Sequence, residues 1–177
     1  MNSARYLREI RVTSAAGNRA RGWLTAAGLT IPCALGRSGP SGAKREGDGA
    51  TPVGRFGLAG LLFRPDRGPR PRTGLPVAAI APESGWCDDP TDRAYNQPVE
   101  LPCPASAEHL WRDDHLYDLV VVIDYNLKPA RAGLGSAIFL HLATPDFQPT
   151  AGCVAIPLAA MRRLLPRLVP DTVINIR

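Results

Sequence analysis

Lysine is almost missing from this chain. Of its 21 basic residues only Lys44 and Lys128 are lysines, so the net charge of +5 rests on arginine. A basic balance admits an anionic partner such as nucleic acid, a membrane surface or a cell-wall polymer, without choosing among them. The arginines are scattered. Their densest run, "RPDRGPRPR" (64–72), is broken by prolines and reads as a solvated loop. Long hydrophobic runs are missing too. The longest strongly apolar run is "LVVVI" (119–123), and nothing approaches the ~20 residues of a transmembrane helix. Within the first thirty residues, charges interrupt every apolar run before the ~7 residues a secretory signal needs. The four cysteines, Cys33, Cys87, Cys103 and Cys153, form no C-x-x-C pair, so a close-paired zinc site is absent. A looser set of Cys87, Cys103, His109 and His115 stays conceivable, and any disulfide pairing is left open. The phosphate-binding P-loop, the dinucleotide fingerprint and the G-x-S-x-G elbow are all absent. No internal repeat is visible.

What is present is a globular composition, 45% hydrophobic and 21% charged, in 177 residues. That length fits one domain with a real core. With 17 glycines and 18 prolines, turns and short elements are expected rather than a helix bundle, because proline removes an amide donor and clashes with the preceding turn. Short β-branched runs recur between turns. They include "LREIRVTS" (7–14), a broken strand pair in "WLTAAGLTIPCAL" (23–35), and "GRFGLAGLLFR" (54–64), whose glycines mark bends or bulges. "TGLPVAAIA" (73–81), "LYDLVVVIDYN" (116–126), "SAIFLHLA" (136–143) and "DTVINIR" (171–177) complete the set. One segment, "PLAAMRRLLPRL" (157–168), has helical spacing at Leu158, Met161, Leu164 and Leu165, and Pro166 ends the regular helix. Its Arg162 and Arg163 cover the outer face. The reading is mainly β with a small helical part.

Chemistry concentrates in "FLHLATPDFQPTAGCVAIP" (139–157). Cys153 follows Gly152, which permits a tight turn or close approach to a bound group. Amides near a helix start would favour a thiolate and hold a developing oxyanion, although the expected helix begins about four residues later. His141 ends a strand and, by alternation, shares a face with Phe139. A histidine can take a thiol's proton and return it to a leaving amine. Both residues are equally compatible with a packed core. In "KREGDGATPVGRFGL" (44–58), Asp48 and Thr51 can orient neighbours by hydrogen bonding, as in any turn of this composition. In "GWCDDPTDRAYNQPV" (85–99) and "LWRDDHLYDL" (110–119), five aspartates come with Trp86, Tyr95, Trp111 and Tyr117. These segments read as solvated loops able to line a polar groove. Adjacent aspartates lack the separation that glycosidase chemistry needs.

Taken together, "GDGATPVGRF" (47–56) and the later His141 followed by "TAGCV" (150–154) resemble the YkuD-type L,D-transpeptidase catalytic domain, in its compact bacterial single-domain form. The resemblance implies one domain over 7–177 with a curved, mostly antiparallel β fold. It assigns Cys153 as nucleophile and His141 as base, with Thr150 and Gly152 supporting the oxyanion pocket. It also makes Asp48, Thr51, Trp86 and Tyr95 candidates for the substrate groove. Ala151 stands where the family carries histidine, and Ala155 where arginine or asparagine is frequent. The implied reaction is acyl transfer on peptidoglycan stem peptides, by transpeptidation or carboxypeptidation, with no metal, no organic cofactor and no nucleic acid. The family's compartment is the periplasm or cell envelope. Two other readings stay open, a non-catalytic cell-wall binding module and a cysteine amidase or peptidase on another substrate.

Overall fold

The computed structural model describes residues 6–177. Among the described residues, fourteen strands and one short helix follow in chain order. The strands are β1 (Glu9–Ala15), β2 (Asn18–Ala26), β3 (Leu29–Ala34), β4 (Pro40–Ser41), β5 (Thr51–Pro52), β6 (Gly54–Phe63) and β7 (Val77–Ala79). They continue with β8 (Ser84–Cys87), β9 (Pro98–Glu100), β10 (Ala107–His109), β11 (Leu119–Ile123), β12 (Phe139–Leu142), β13 (Val154–Ile156) and β14 (Val173–Ile176). The helix α1 (Leu158–Leu164) passes into a 3-10 turn at Leu165–Arg167, where Pro166 interrupts the α-helical bonding.

Nine strands form one sheet in the order β11-β12-β13-β3-β2-β1-β14-β6-β7. Because β6 also pairs with β11, the sheet curls round and closes, with β7 appended to β6. Most pairings are antiparallel. The parallel exceptions in the ring are β1 with β14 and β12 with β13. The expected strand pair at 23–35 is a hairpin turned by Ala27 and Gly28, both at positive φ (52° and 76°). That geometry matches the right-handed twist of the flanking strands. The expected bend in β6 is an irregularity opposite Val122 and Ile123.

Strand alternation sorts side chains into two cores. The larger takes Ile10, Val12, Leu24, Leu61, Val121, Leu140, Val154 and Ile174, with Met161 and Leu164 of α1. The second, on the other face, takes Val120, Val122, Phe139, Trp86, Tyr117 and Cys153. This explains why "LVVVI" is apolar throughout: β11 is buried on both faces. The second core is covered by a small sheet, β10-β8-β9. The segment 85–99, read as a solvated loop, therefore holds most of β8 and the start of β9, and β10 lies just before the segment 110–119. Trp86, Tyr95 and Tyr117 are buried rather than aromatic surface.

Candidate active site

The parallel pairing of β12 with β13 builds the site. His141 lies in register with Ala155, and Leu140 with Val154. Leu140 and Val154 point into the larger core, so His141 and Ala155 face the other way. Cys153, two residues before Ala155, joins the core on that second face. A cavity of about 550 Å³ opens there, and Cys153, His141, Thr150, Ala151 and Ala155 all line it.

The turn before Cys153 is tied to itself and to the barrel. Thr150 Oγ1 donates to the Cys153 carbonyl (2.7 Å) and accepts from the Gly152 amide (3.1 Å). The Thr150 amide donates to Leu35 O and its carbonyl accepts from Arg37, stapling the turn beside β3. Gly152 has φ 145°, and a Cβ there would stand 2.8 Å from the Ala50 carbonyl, so only glycine fits. These contacts correct two expectations. The Gly152 amide is already spent on Thr150. And β13 separates Cys153 from α1, so the thiol gains nothing from a helix start.

Cys153 Sγ donates to the Ala137 carbonyl (3.2 Å) and accepts from the Phe139 amide (3.3 Å). Burial pushes the thiol up to about 12, and the nearby Glu108 carboxylate pushes the same way. His141 is 5% exposed. Its Nδ1 lies 2.9 Å from the Leu142 carbonyl, which can only accept, so Nδ1 carries the proton and Nε2 is the free base. Burial pulls the imidazole down to about 4. At neutral pH the resting pair is thus an uncharged thiol and an uncharged ring.

The backbone that meets the thiol is held by Asn96. Ala137 sits at φ 51°, an uncommon conformation for alanine. Its amide donates to Asn96 Oδ1 (3.0 Å), which also accepts from Trp86 Nε1 (2.9 Å). Asn96 Nδ2 donates to the carbonyls of Tyr125 (3.1 Å) and Asn126 (2.7 Å). All four hydrogen-bonding positions of this buried amide are filled.

Charges of both signs line the cavity. Lys44, 7% exposed, donates to Asp48 Oδ1 (2.7 Å) and to the Arg45 carbonyl (2.8 Å). An ammonium has three donors, which leaves one for the cavity. Opposite in sign are Glu46, Glu108 and Asp88. Glu108 accepts from Tyr117 OH (2.6 Å), and burial raises its carboxyl. Asp88 Oδ1 is buried without a hydrogen-bond partner among the described residues.

Asp48, Thr51, Trp86 and Tyr95 are not among the lining residues. Asp48 accepts from Lys44, Arg45 and Ala50, and so shapes the "GDGATP" turn. Thr51 Oγ1 accepts from the Gly36 amide (2.8 Å). Trp86 packs edge-on against Phe139, and Tyr95 OH donates to Glu46. Sequence reading passed over Asn96, Lys44 and Glu108, while Asp88 belongs to the aspartates read as able to line a polar groove and does line the cavity. Among the described residues, no three His, Cys, Asp or Glu side chains gather where a metal ion could be held, and the four cysteines are free thiols.

No curated protein matches the chain. Among solved structures it is similar to the Ldtfm–avibactam carbamoyl enzyme, with TM-score 0.41 and 13% identity. That match covers 96% of this chain and 48% of the other, so the chain spans about half the length of that protein. The family described as the L,D-transpeptidase catalytic domain, YkuD, matches residues 17–176. A match over that length makes the chain a member of the YkuD family of L,D-transpeptidase catalytic domains.

Proposed function

We propose that the protein transfers acyl groups on peptidoglycan stem peptides through a Cys153 thioester. The observation that carries this reading is that His141, on β12, and Cys153, the residue just before β13, both line one cavity. Family membership supports the peptidoglycan-modifying role.

The thiol proton passes from Sγ to His141 Nε2 as Sγ bonds to the carbonyl carbon between the L-centre of a diamino acid and D-Ala. Thiolate and imidazolium form together and attract each other in a site of low dielectric, which offsets the cost that burial sets on each alone. The tetrahedral oxyanion is met by the Cys153 amide and the Lys44 ammonium, since the Gly152 amide is committed to Thr150. The C–N bond then breaks, and His141 returns the proton to the leaving D-Ala amine. In the second step an amine of another stem peptide, or water, loses a proton to His141 and attacks the thioester. The C–S bond breaks and Sγ recovers the proton. An amine gives a 3→3 cross-link, and water gives a carboxypeptidase. Asp88 and Glu108 offer an acidic wall for the ammonium of a diamino side chain. Such a substrate places the protein in the periplasm or cell envelope.

A burst experiment with a stem tetrapeptide tests the reading. Wild type releases D-Ala, and Cys153→Ala releases none. Release that survives the substitution contradicts it.

A further inference from the structure

A second cavity, of about 560 Å³, takes no part in these steps. Arg64, Arg67, Arg70, Arg72 and Arg162 line it, and Asp118 is the one acid among its lining residues. Two of the arginines are already committed. Arg64 pairs with Asp66 (2.8 Å) and lies over the Trp111 ring, 3.7 Å from its centroid. Arg67 pairs with Asp118 (2.8 Å) and donates to the carbonyls of Arg112, Asp113 and Asp114. Arg70, Arg72 and Arg162 are exposed and make no ion pair among the described residues.

The loop that carries Arg70 and Arg72 is anchored at both ends, and Arg162 stands beside it on α1. Arg64 and Arg67 hold its start, and at its end the Gly74 amide and Thr73 hydroxyl both donate to the Leu168 carbonyl. Pro69 and Pro71 fix φ on either side of Arg70. The backbone beneath Arg70 and Arg72 is therefore held at the mouth before anything binds, and only the side chains remain to be ordered. Three unpaired like charges there repel one another, and an anion offsets that repulsion. The rim is also apolar: Leu158 is 37% exposed, and Pro69 and Pro166 are exposed beside it.

We propose that this mouth binds the phosphate of an anionic phospholipid headgroup and seats this face of the protein on a membrane surface. Guanidinium forks match phosphate oxygens in pairs, and phosphate is the group found where an apolar phase meets water. A free phosphate accounts for the arginines but makes no use of Leu158 and the prolines. The proposal stands independently of the acyl-transfer reading, because none of these residues lines the first cavity.

Co-sedimentation of the full chain with phosphatidylcholine vesicles, with and without phosphatidylglycerol, tests it. Wild type is expected to bind only the vesicles that contain phosphatidylglycerol. The triple variant Arg70→Ala, Arg72→Ala, Arg162→Ala is expected to bind on the order of 100-fold more weakly, from about a fivefold loss per arginine. Leu158→Asp is expected to weaken binding too. A control triple, Arg8→Ala, Arg55→Ala, Arg93→Ala, removes the same charge from exposed positions elsewhere and should bind as wild type does. Equal loss in both triples reduces the effect to overall charge and overturns the site. Binding of inorganic phosphate without vesicle binding overturns the lipid headgroup as its occupant. No binding of either overturns the proposal entirely.

Discussion

The ring of Tyr117 meets the ring of His141 edge-on, with centroids 5.1 Å apart and planes at 73°. Tyr117 is itself clamped. Its hydroxyl donates to Glu108 (2.6 Å), and the Arg112 guanidinium lies 5.2 Å from its ring centroid. This contact keeps water from the imidazole, and exclusion of water is what pulls His141 down to about 4. Tyr117→Ala should let water in and raise the His141 midpoint toward its ordinary 6.5. Tyr117→Phe keeps the ring and should leave the midpoint close to wild type. Titration of the His141 ring protons by NMR separates the two, and an unmoved midpoint in Tyr117→Ala refutes the role given to the contact.

Acid should destabilise the fold through the same histidine. Between pH 6.5 and about 4 the unfolded chain binds a proton that native His141 refuses. Stability is then fully present above the unfolded value and is lost as pH falls toward the folded one, by up to about 3 kcal/mol. Denaturant unfolding at a series of pH values should show this slope in wild type and a smaller one in His141→Asn. Identical slopes would count against a neutral buried ring.

Asn96 is expected to be among the most costly residues to lose. Asn96→Ala strands two donors, Trp86 Nε1 and the Ala137 amide, together with two carbonyl acceptors. An unsatisfied buried polar group costs about 1–3 kcal/mol, so a total of roughly 3–5 kcal/mol is expected after relaxation. Chemical denaturation should also be accompanied by loss of activity, since the Ala137 carbonyl faces Cys153 Sγ. A variant as stable as wild type disproves the hub.

Lys44 should act on the acylation rate rather than on substrate affinity. Removing one oxyanion donor lowers kcat on the order of 100-fold. Lys44→Met alone also strands Asp48, so the double variant Lys44→Met, Asp48→Asn is the cleaner comparison. Pre-steady-state release of D-Ala should slow in both, with KM little changed. A loss confined to KM would assign Lys44 to substrate binding instead.

The sequence was legible where a pattern spans several residues. Alternation through "FLHL" put His141 and Phe139 on one face, and they share it. The β-branched run "LVVVI" marked a strand, and β11 stands there, buried throughout. The helical spacing of Leu158, Met161 and Leu164 marked α1. Legibility failed where elements are short. Strand β13 is three residues, too few to show a period, and it reads as a lead into the helix. Strands β8, β9 and β10 are three or four residues each and carry Gly85 and Pro98, which signal turns. Asn96 was unreadable for another reason. Its partners come from Trp86, Tyr125, Asn126 and Ala137, and only the folded chain brings them together. The groove candidates Trp86 and Tyr95 are buried, Trp86 on strand β8 of the small covering sheet and Tyr95 in the connection to β9, and no local pattern signals that cover.

Covalent capture tests the central claim most directly. Cys103 is the most exposed thiol, while Cys153 is 6% exposed and pushed up to about 12. A small alkylating reagent at neutral pH should therefore label Cys103 first, and its preference says nothing about catalysis. A stem tetrapeptide should choose differently. Intact-protein mass spectrometry after mixing should show one acyl adduct with D-Ala released, and peptide mapping should place it on Cys153, with none on Cys153→Ala. D-Ala release without an adduct in Cys153→Ala as in wild type, or an adduct mapped to Cys103, would contradict the account.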